Sequence, residues 1–527
     1  MGGPAFPASG ATFRLTRMAY ARTVFRESRA PDGGGKLEGK PTSFPLTPPP
    51  LTLPRKAAML RTLTLLALTA SACALTTPAV PQEAETRDGD AEENLFPRDG
   101  AEDREKPLTV YQGPGNEDWQ ADQAVGRTYA VTMDGLPEPY EGPAVRNSPV
   151  IVPRDGAAPN LPEGFEATLY AEGLERPRQV LALPNGDVIV VIQRGGYLVM
   201  MRDDDGDGRA DYVERHAAQF NNPYGVEHRE GEIVVADQDA LWTIAYDPGQ
   251  LRPPFAQAQR ISETTPRQRQ PGKYMDGQTP LTAQGVFGLV QGHYNRDVAI
   301  GPDGTIYVGV GSVGNIGEEP EPKSTIQAFA PDGTGQRTVA SGMRNPSGVV
   351  MSPEGRLWAV VQERDGLGDQ LVPDFFTEVE EGRFYGFPYS YIGQNPQPGF
   401  AGKAPELVER AIEPDLLFTP HSAAMDAVFY EGGMFPDAYD GDAFVALKGS
   451  WNSSEPTGYK VVRARFEDGE PTGEYENFAT GFWRGGTDKA QVWGRPVDVE
   501  VGPDGALFIL DEPGGTLWRV TYEGDER

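Results

Sequence analysis

Only four histidines occur in the 527 residues. Two of them, His293 and His421, each stand at the start of a segment in which a turn leads into an apolar run. An imidazole titrates near neutrality and can take or give a proton at physiological pH, so His293 is a candidate general base. The competing reading is a satisfied histidine that serves the strand it precedes. His421 is a candidate to face a substrate, and His216 and His228 read as structural. Two further segments start with Arg344-Asn345 and with Arg495. Guanidinium groups gathered at one place would hold an anionic group by paired hydrogen bonds, whereas Arg344 taken alone reads as a surface ion pair. A second constellation is DDDGDGRADYVE, which puts Asp203, Asp205 and Asp207 at loop positions 1, 3 and 5, Gly208 at 6, Asp211 at 9 and Glu214 at 12. That spacing suits a calcium ion taking six to eight oxygens. The flank from Tyr197 to Met201 reads as strand, so a bound ion would be structural, and the alternative is a charged hairpin tip.

A repeated unit must position these residues. From about Leu161 the chain returns six times to a turn, a short apolar strand, a Gly-containing turn and a second apolar strand. The phrases are PRQVLALPNGDVIVV at Pro177, NPYGVEHREGEIVVA at Asn222, HYNRDVAIGPDGTIYVGVG at His293, RNPSGVVMSPEGRLWAVV at Arg344, HSAAMDAVFYEGG with GDAFVALKG at His421, and RPVDVEVGPDGALFILD at Arg495. Asn-Gly or Asp-Gly between apolar runs signals a hairpin, and Glu-Gly does so more weakly. A repeat spacing of 46 to roughly 75 residues suits four-stranded blades joined by variable loops. The expected fold is therefore all-β, a six-bladed β-propeller over 161–524, with an all-β sandwich as the competing architecture. In a propeller the residues before each inner strand meet at one mouth of the central channel, which would gather His293, Arg344, Asn345, His421 and Arg495.

Lys and Arg total 47 against 77 Asp and Glu, a net charge of −30. An acidic surface repels phosphate backbones and anionic bilayers, so no nucleic-acid partner is expected. The 64 glycines and 49 prolines suit many tight turns and argue against long helical bundles. One cysteine, Cys73, excludes an internal disulfide framework, a Cys-ligated zinc site and a CxxCH haem attachment.

Residues 1–58 carry nine basic and three acidic residues with no periodicity and read as a non-native extension or a disordered segment. Residues 59–72, MLRTLTLLALTASA, have the charged start, apolar centre and small-residue end of a secretory signal, and Cys73 follows directly. A lipid anchor at Cys73, ordinary cleavage and an uncleaved membrane anchor are the three readings. Each places the protein outside the cytoplasm, in the periplasm or cell envelope. Residues 73–160 read as a charged, disordered tether followed by an irregular lead-in.

The stretch from Leu161 to Tyr522 resembles the soluble pyrroloquinoline-quinone-dependent sugar dehydrogenases, most closely the sorbosone dehydrogenase branch. The phrases that carry the resemblance are GHYNRDVAIGPDGTIYVGVGS, ASGMRNPSGVVMSPEGRLW, QERDGLGDQLVPD, GRFYGFPYSYIG, FVALKGSWN and WGRPVDVEVGPDGALFILDEPGGTLWRVTY, in that order. The resemblance implies a propeller holding the quinone, with calcium on it, in the mouth. It makes His293 the catalytic base, Arg344, Asn345 and Gln362 cofactor contacts, Lys448 and Arg495 the cations for the quinone carboxylates, and Asp511 a polar neighbour of the cofactor. A sugar or sugar aldehyde would be the substrate, and the electron acceptor stays open.

The chain departs from that pattern at three places. Ser312 stands where the family has an acid nineteen positions after the base. Glu363-Arg364 replace the Gly-Pro whose carbonyls hold the cofactor calcium, leaving Asp365 or Asp369 as substitutes. Val497 replaces one of two paired arginines. A non-catalytic ligand-binding propeller is therefore one rival function. A calcium-dependent lactonase is another, disfavoured by the His, Arg and Asn starts of the segments.

Overall fold

A computed structural model of the chain describes residues 108–217, 220–262, 268–269, 282–283, 286–288 and 292–524. The expectations for the extension, the signal segment, Cys73 and the tether up to residue 107 lie outside the described residues. No helix among the described residues is long and apolar enough to cross a membrane.

The described chain is all-β. Each repeated phrase forms the first two strands of an antiparallel sheet, and the turn between them is set by backbone conformation. In the first sheet Gly186 N–H donates to Leu183 O at 2.9 Å, and Gly186 sits at φ 87°. Gly304, Gly355 and Gly505 repeat this at φ 82°, 78° and 87°, where a Cβ would be strained.

Six sheets of four or five strands follow in order. They begin with Pro177–Ala182, Gly225–Arg229, Val298–Ile300, Asn345–Met351, Ala424–Phe429 and Pro496–Val501. The sixth sheet is completed by a strand from the start of the domain, Phe165–Glu172, which pairs antiparallel with Thr516–Tyr522. The first strands touch in sequence, each against the next, and Pro496–Val501 touches Pro177–Ala182 to complete the circuit.

The strand Val188–Ile192 shows why the apolar runs are continuous. Val188, Val190 and Ile192 face a core shared with Val497 and Leu510 of the sixth sheet, while Ile189 and Val191 face one shared with Val226 and Ile233 of the second. Alternate side chains point to opposite faces, so a sheet packed on both sides needs apolar residues at every position.

The first strands also bulge at one level, between Pro177 and Gln179, Pro346 and Gly348, Ala424 and Ala427, and Pro496 and Asp498. A bulge frees backbone N–H groups that must be satisfied. Side chains from neighbouring repeats accept N–H groups of the first strands, in bulged strands and in the unbulged second one alike: Val180 N–H donates to Asp498 at 2.5 Å, Val349 N–H to Asp297 at 2.6 Å and Val226 N–H to Gln179 at 2.6 Å.

Residues 108–160 show no periodicity in sequence, yet the structure fixes them to the sheets. Thr128–Tyr129 adds an edge strand to the fifth sheet, Trp119 stacks on Trp483 at 5.2 Å, and the buried ammonium of Lys460 donates to Asp122 O at 3.0 Å.

Candidate functional site

A strand that leaves one end of a sheet is followed by one that returns to it. The residues before each first strand therefore lie beside the loops that follow each second strand. This brings His293 of the third repeat to Ser312, just past Ile306–Val310. His293 N–H donates to Ser312 O at 3.0 Å, and its Nδ1 lies 2.9 Å from the same oxygen. A carbonyl can only accept, so Nδ1 carries the proton and Nε2 the lone pair. The Ser312 hydroxyl donates to Gly314 O at 2.7 Å and brings no charge to the ring. Burial, and then the charge of Arg344, hold the imidazole well below its ordinary pKa.

Arg344, expected on the cofactor, clamps two loops. Nε donates to Asn315 O at 2.9 Å, Nη2 to Asn315 Oδ1 at 3.1 Å and Nη1 to Glu363 O at 3.0 Å. Its neighbour Asn345 faces Gln362 across the fourth sheet and donates to Gln362 Oε1 at 3.0 Å. Gln362 Nε2 is spent on Ala424 O at 2.9 Å. Asn345 Oδ1 is buried with no hydrogen-bond partner among the described residues. It lies beside His293, because a Cβ added to Gly311 would meet Asn345 Oδ1 at 2.3 Å and His293 Cβ at 2.7 Å. Glycine at 311 keeps that space open.

The expected cations Lys448 and Arg495 do come together, with two residues the sequence did not single out. Lys448 Nζ lies 2.6 Å from Glu512 Oε2, and Arg178 Nη2 lies 3.1 Å from Glu512 Oε1. Arg495 donates to Lys448 O at 3.0 Å and Gly449 O at 2.6 Å. Burial first, then the charge of Arg178, pull the Lys448 ammonium down to about 7. Burial alone would raise the Glu512 carboxyl, but Arg178 and Lys448 hold it far below the usual range. Asp511, expected near the cofactor, touches this group through Arg495. It is fully buried and accepts Arg495 N–H at 2.5 Å and the Thr516 hydroxyl at 3.0 Å, so it closes the sixth sheet. Arg178 and Glu512 were missed because each lies one residue from a motif position, and only the packing of the first sheet on the sixth makes them neighbours.

His421, the candidate to face a substrate, is buried, with both ring nitrogens engaged. Its Nε2 donates to Gly368 O at 3.0 Å, and its Nδ1 lies 3.0 Å from the Asn452 amide and 3.6 Å from Asp365. His216 and His228 pack against Phe255 and Tyr246, as structural residues would.

The substitutes for the cofactor calcium are also engaged. Asp365 faces His421 and Asn452, Asp369 accepts Ser454 N–H at 3.0 Å, and the Glu363 carbonyl takes the Arg344 guanidinium. A cation already stands at that carbonyl, so these oxygens as placed do not fit a second one. The donor set for a quinone does fit: cations at Lys448, Arg178 and Arg495, and an open acceptor at Asn345.

In the Asp203 loop, Asp203, Asp205 and Asp211 bring carboxylate oxygens within 4.8 Å of one another. Asp207 instead accepts Arg209 N–H at 2.9 Å, and Glu214 turns away to Arg252 at 2.9 Å, because it lies in the strand Tyr212–Ala217 and not in a helix that would carry it back.

A TrAA12-like family model matches residues 406–523. An uncharacterized protein of Borreliella burgdorferi is 24% identical over 375 residues, covering 69% of this chain and 90% of the relative. A pyrroloquinoline quinone-dependent pyranose dehydrogenase of Coprinopsis cinerea is 25% identical over 358 residues, covering 58% of this chain and 44% of the relative. The chain thus spans less than half of that protein. Among solved structures, the calcium structure of a family AA12 carbohydrate-active enzyme from Trichoderma reesei has a TM-score of 0.56 at 17% identity, covering 71% of this chain and 99% of that one. The resemblance read from the sequence, to the soluble pyrroloquinoline-quinone-dependent sugar dehydrogenases, is thereby met in sequence and in fold. The sorbosone branch is not singled out.

Proposed function

We propose that the six sheets form a six-bladed β-propeller and that the chain is an oxidoreductase of an aldose or sugar aldehyde, with pyrroloquinoline quinone in the mouth, close to the sorbosone dehydrogenase branch. What supports this reading is a base held in its accepting tautomer, His293, together with a buried cationic cluster of Lys448, Arg178 and Arg495. When bound, the quinone supplies a two-electron acceptor for hydride. His293 Nε2 takes the proton of the substrate hydroxyl, and the Ser312 carbonyl holds the ring by accepting the Nδ1–H hydrogen bond throughout. Lys448 and Arg495 bind carboxylates, and Asn345 Oδ1 accepts a hydrogen bond from cofactor or substrate. Arg344 holds the 315 and 363 loops at the spacing the site needs. No step is assigned to a calcium on the quinone.

Calcium enters the proposal as a structural ion on Asp203, Asp205 and Asp211. Export to the periplasm or cell envelope, with a lipid on Cys73, is part of the proposal and rests on residues 59–73 alone. The second reading, a ligand-binding propeller without turnover, is favoured by Ser312, which gives the imidazolium no counter-charge. Reconstitution with quinone and calcium, followed by dye reduction over a panel of sugars, separates the two. Quinone binding with no reduction of any sugar would favour the second.

A further inference from the structure

Four buried side chains join the first strands of all six sheets. Gln179 of the first sheet accepts Val226 N–H of the second at 2.6 Å. Its amide nitrogen donates to Asp297, at the start of the third, and to Asp426 Oδ2 of the fifth at 3.3 Å. Asp297 accepts Val349 N–H of the fourth sheet at 2.6 Å, and Asp498 of the sixth accepts Val180 N–H of the first at 2.5 Å. The Asp426 and Asp498 carboxyls are hydrogen-bonded to each other, which closes the ring. Asp297, Asp426 and Asp498 are 1%, 4% and 2% exposed. A Cβ added to Gly348 of the fourth sheet would meet Asp426 Oδ1 at 2.5 Å, so backbone closes in on the acid from that side.

A hydrogen bond between two carboxyl groups needs a proton, since two carboxylates only accept and repel each other. Among the described residues none of the three acids is ion-paired, and the carboxylates gathered closely enough to share a metal are those of the Asp203 loop. Protons must therefore neutralise the ring, because an uncompensated buried carboxylate is far costlier than its acid. The other titratable groups that act on the ring bring no positive charge: Tyr224 and Glu227 from the second sheet and Glu500 from the sixth. The cations next to ring members in sequence are directed elsewhere, Arg178 to Glu512 and Arg296 toward the charges of Asp237 and Asp239.

We propose that this ring is a proton-dependent lock on the closed circuit, which ties the six first strands while the acids are protonated and loosens as they ionise at alkaline pH. Burial pushes Asp297 up to about 7, and Asp426 well above the usual carboxylate range together with Asp498. The folded values lie above the unfolded ones. The stabilisation is therefore complete below about pH 4, the unfolded value, and is lost as pH rises through the folded values.

The test follows the melting temperature of the protein without added ligand from about pH 5 to about pH 9, in wild type, Asp426→Asn, Asp498→Asn and Gln179→Glu. An amide has the shape of the neutral acid and cannot ionise. Wild type should melt at steadily lower temperature as pH rises, each proton that the fold keeps and the unfolded chain has lost shifting the folding equilibrium by about tenfold per pH unit. The two Asn variants should match wild type within a few degrees at the acid end and fall less steeply above it. Gln179→Glu adds a fourth acid and should fall more steeply. Curves parallel to wild type in these variants overturn the lock. So does an Asp498→Asn chain that folds at no pH, since a position that rejects the neutral amide holds the ionised acid.

Discussion

The carbonyl oxygen of Ser312 receives two hydrogen bonds from His293, one from the backbone N–H at 3.0 Å and one from Nδ1–H at 2.9 Å. Ser312 thus fixes both the position of the residue and the tautomer of its ring, its hydroxyl oxygen also lying 3.0 Å from Nδ1. A carboxylate would do the same and would also stabilise the imidazolium. Here that charge is missing, so the base is well placed but weak.

His293→Ala should lower turnover by roughly 10²- to 10⁴-fold, the range for loss of a general base. Quinone affinity should stay within several-fold, since the cations remain. Steady-state kinetics with a parallel binding titration checks both, and near-normal turnover in a well-folded variant would sink the proposed role.

The pH profile follows from the direction of the shift. The base acts when neutral, and burial with the Arg344 charge holds its pKa well below the ordinary value. Turnover should therefore stay level down through pH 6.5 and fall only on the acid side of the usual imidazole range. Ser312→Asp puts an anion beside Nδ1–H and should move that acid limb to higher pH. A limb at the same pH in both proteins would assign it to another group.

Quinone affinity should have its own pH dependence. The Lys448 ammonium is pulled down to about 7, and it binds a carboxylate only while protonated. Affinity should fall as pH rises through that value, and Lys448→Arg should flatten the curve, because a guanidinium stays charged. Fluorescence titrations between pH 6 and 9 read the difference.

Calcium should raise the melting temperature through three aspartates and not through the full loop pattern. Saturation at a hundredfold excess over Kd contributes about 2.7 kcal/mol. Asp205→Ala should abolish the shift. Glu214→Gln should leave it intact, since that carboxylate pairs with Arg252. Thermal melts with and without calcium decide, and a shift lost in Glu214→Gln would restore the twelve-residue pattern.

The lead-in should matter for stability. A protein beginning at Gly100 should fold like the full chain. One beginning at Leu161 loses Asp122 and leaves the Lys460 ammonium, 2% exposed, without its partner. Breaking such a buried pair costs about 3–5 kcal/mol. Comparing the melting temperatures of the two chains tests this.

The repeat phrases alone gave six strand pairs with their turns, because a hairpin is local: Gly186, Gly304, Gly355 and Gly505 each sit where a left-handed residue is needed. They also singled out His293 and Arg495, which stand at the start of repeats, whereas Lys448 came from the resemblance. What the sequence could not decide were distances between residues far apart in the chain. Arg178 and Glu512 are 334 positions apart in sequence and meet only because the last sheet packs on the first. Only the packed chain shows that His421 is hydrogen-bonded to Gly368 O and that Asp511 accepts Arg495 N–H. The same holds for Glu214, where spacing supplied the ligand pattern but a strand, advancing more than twice as far per residue as a helix, carried it out of reach. Residue type and local spacing are written in the chain, whereas the facing of side chains across sheets is set by the closure of the whole circuit.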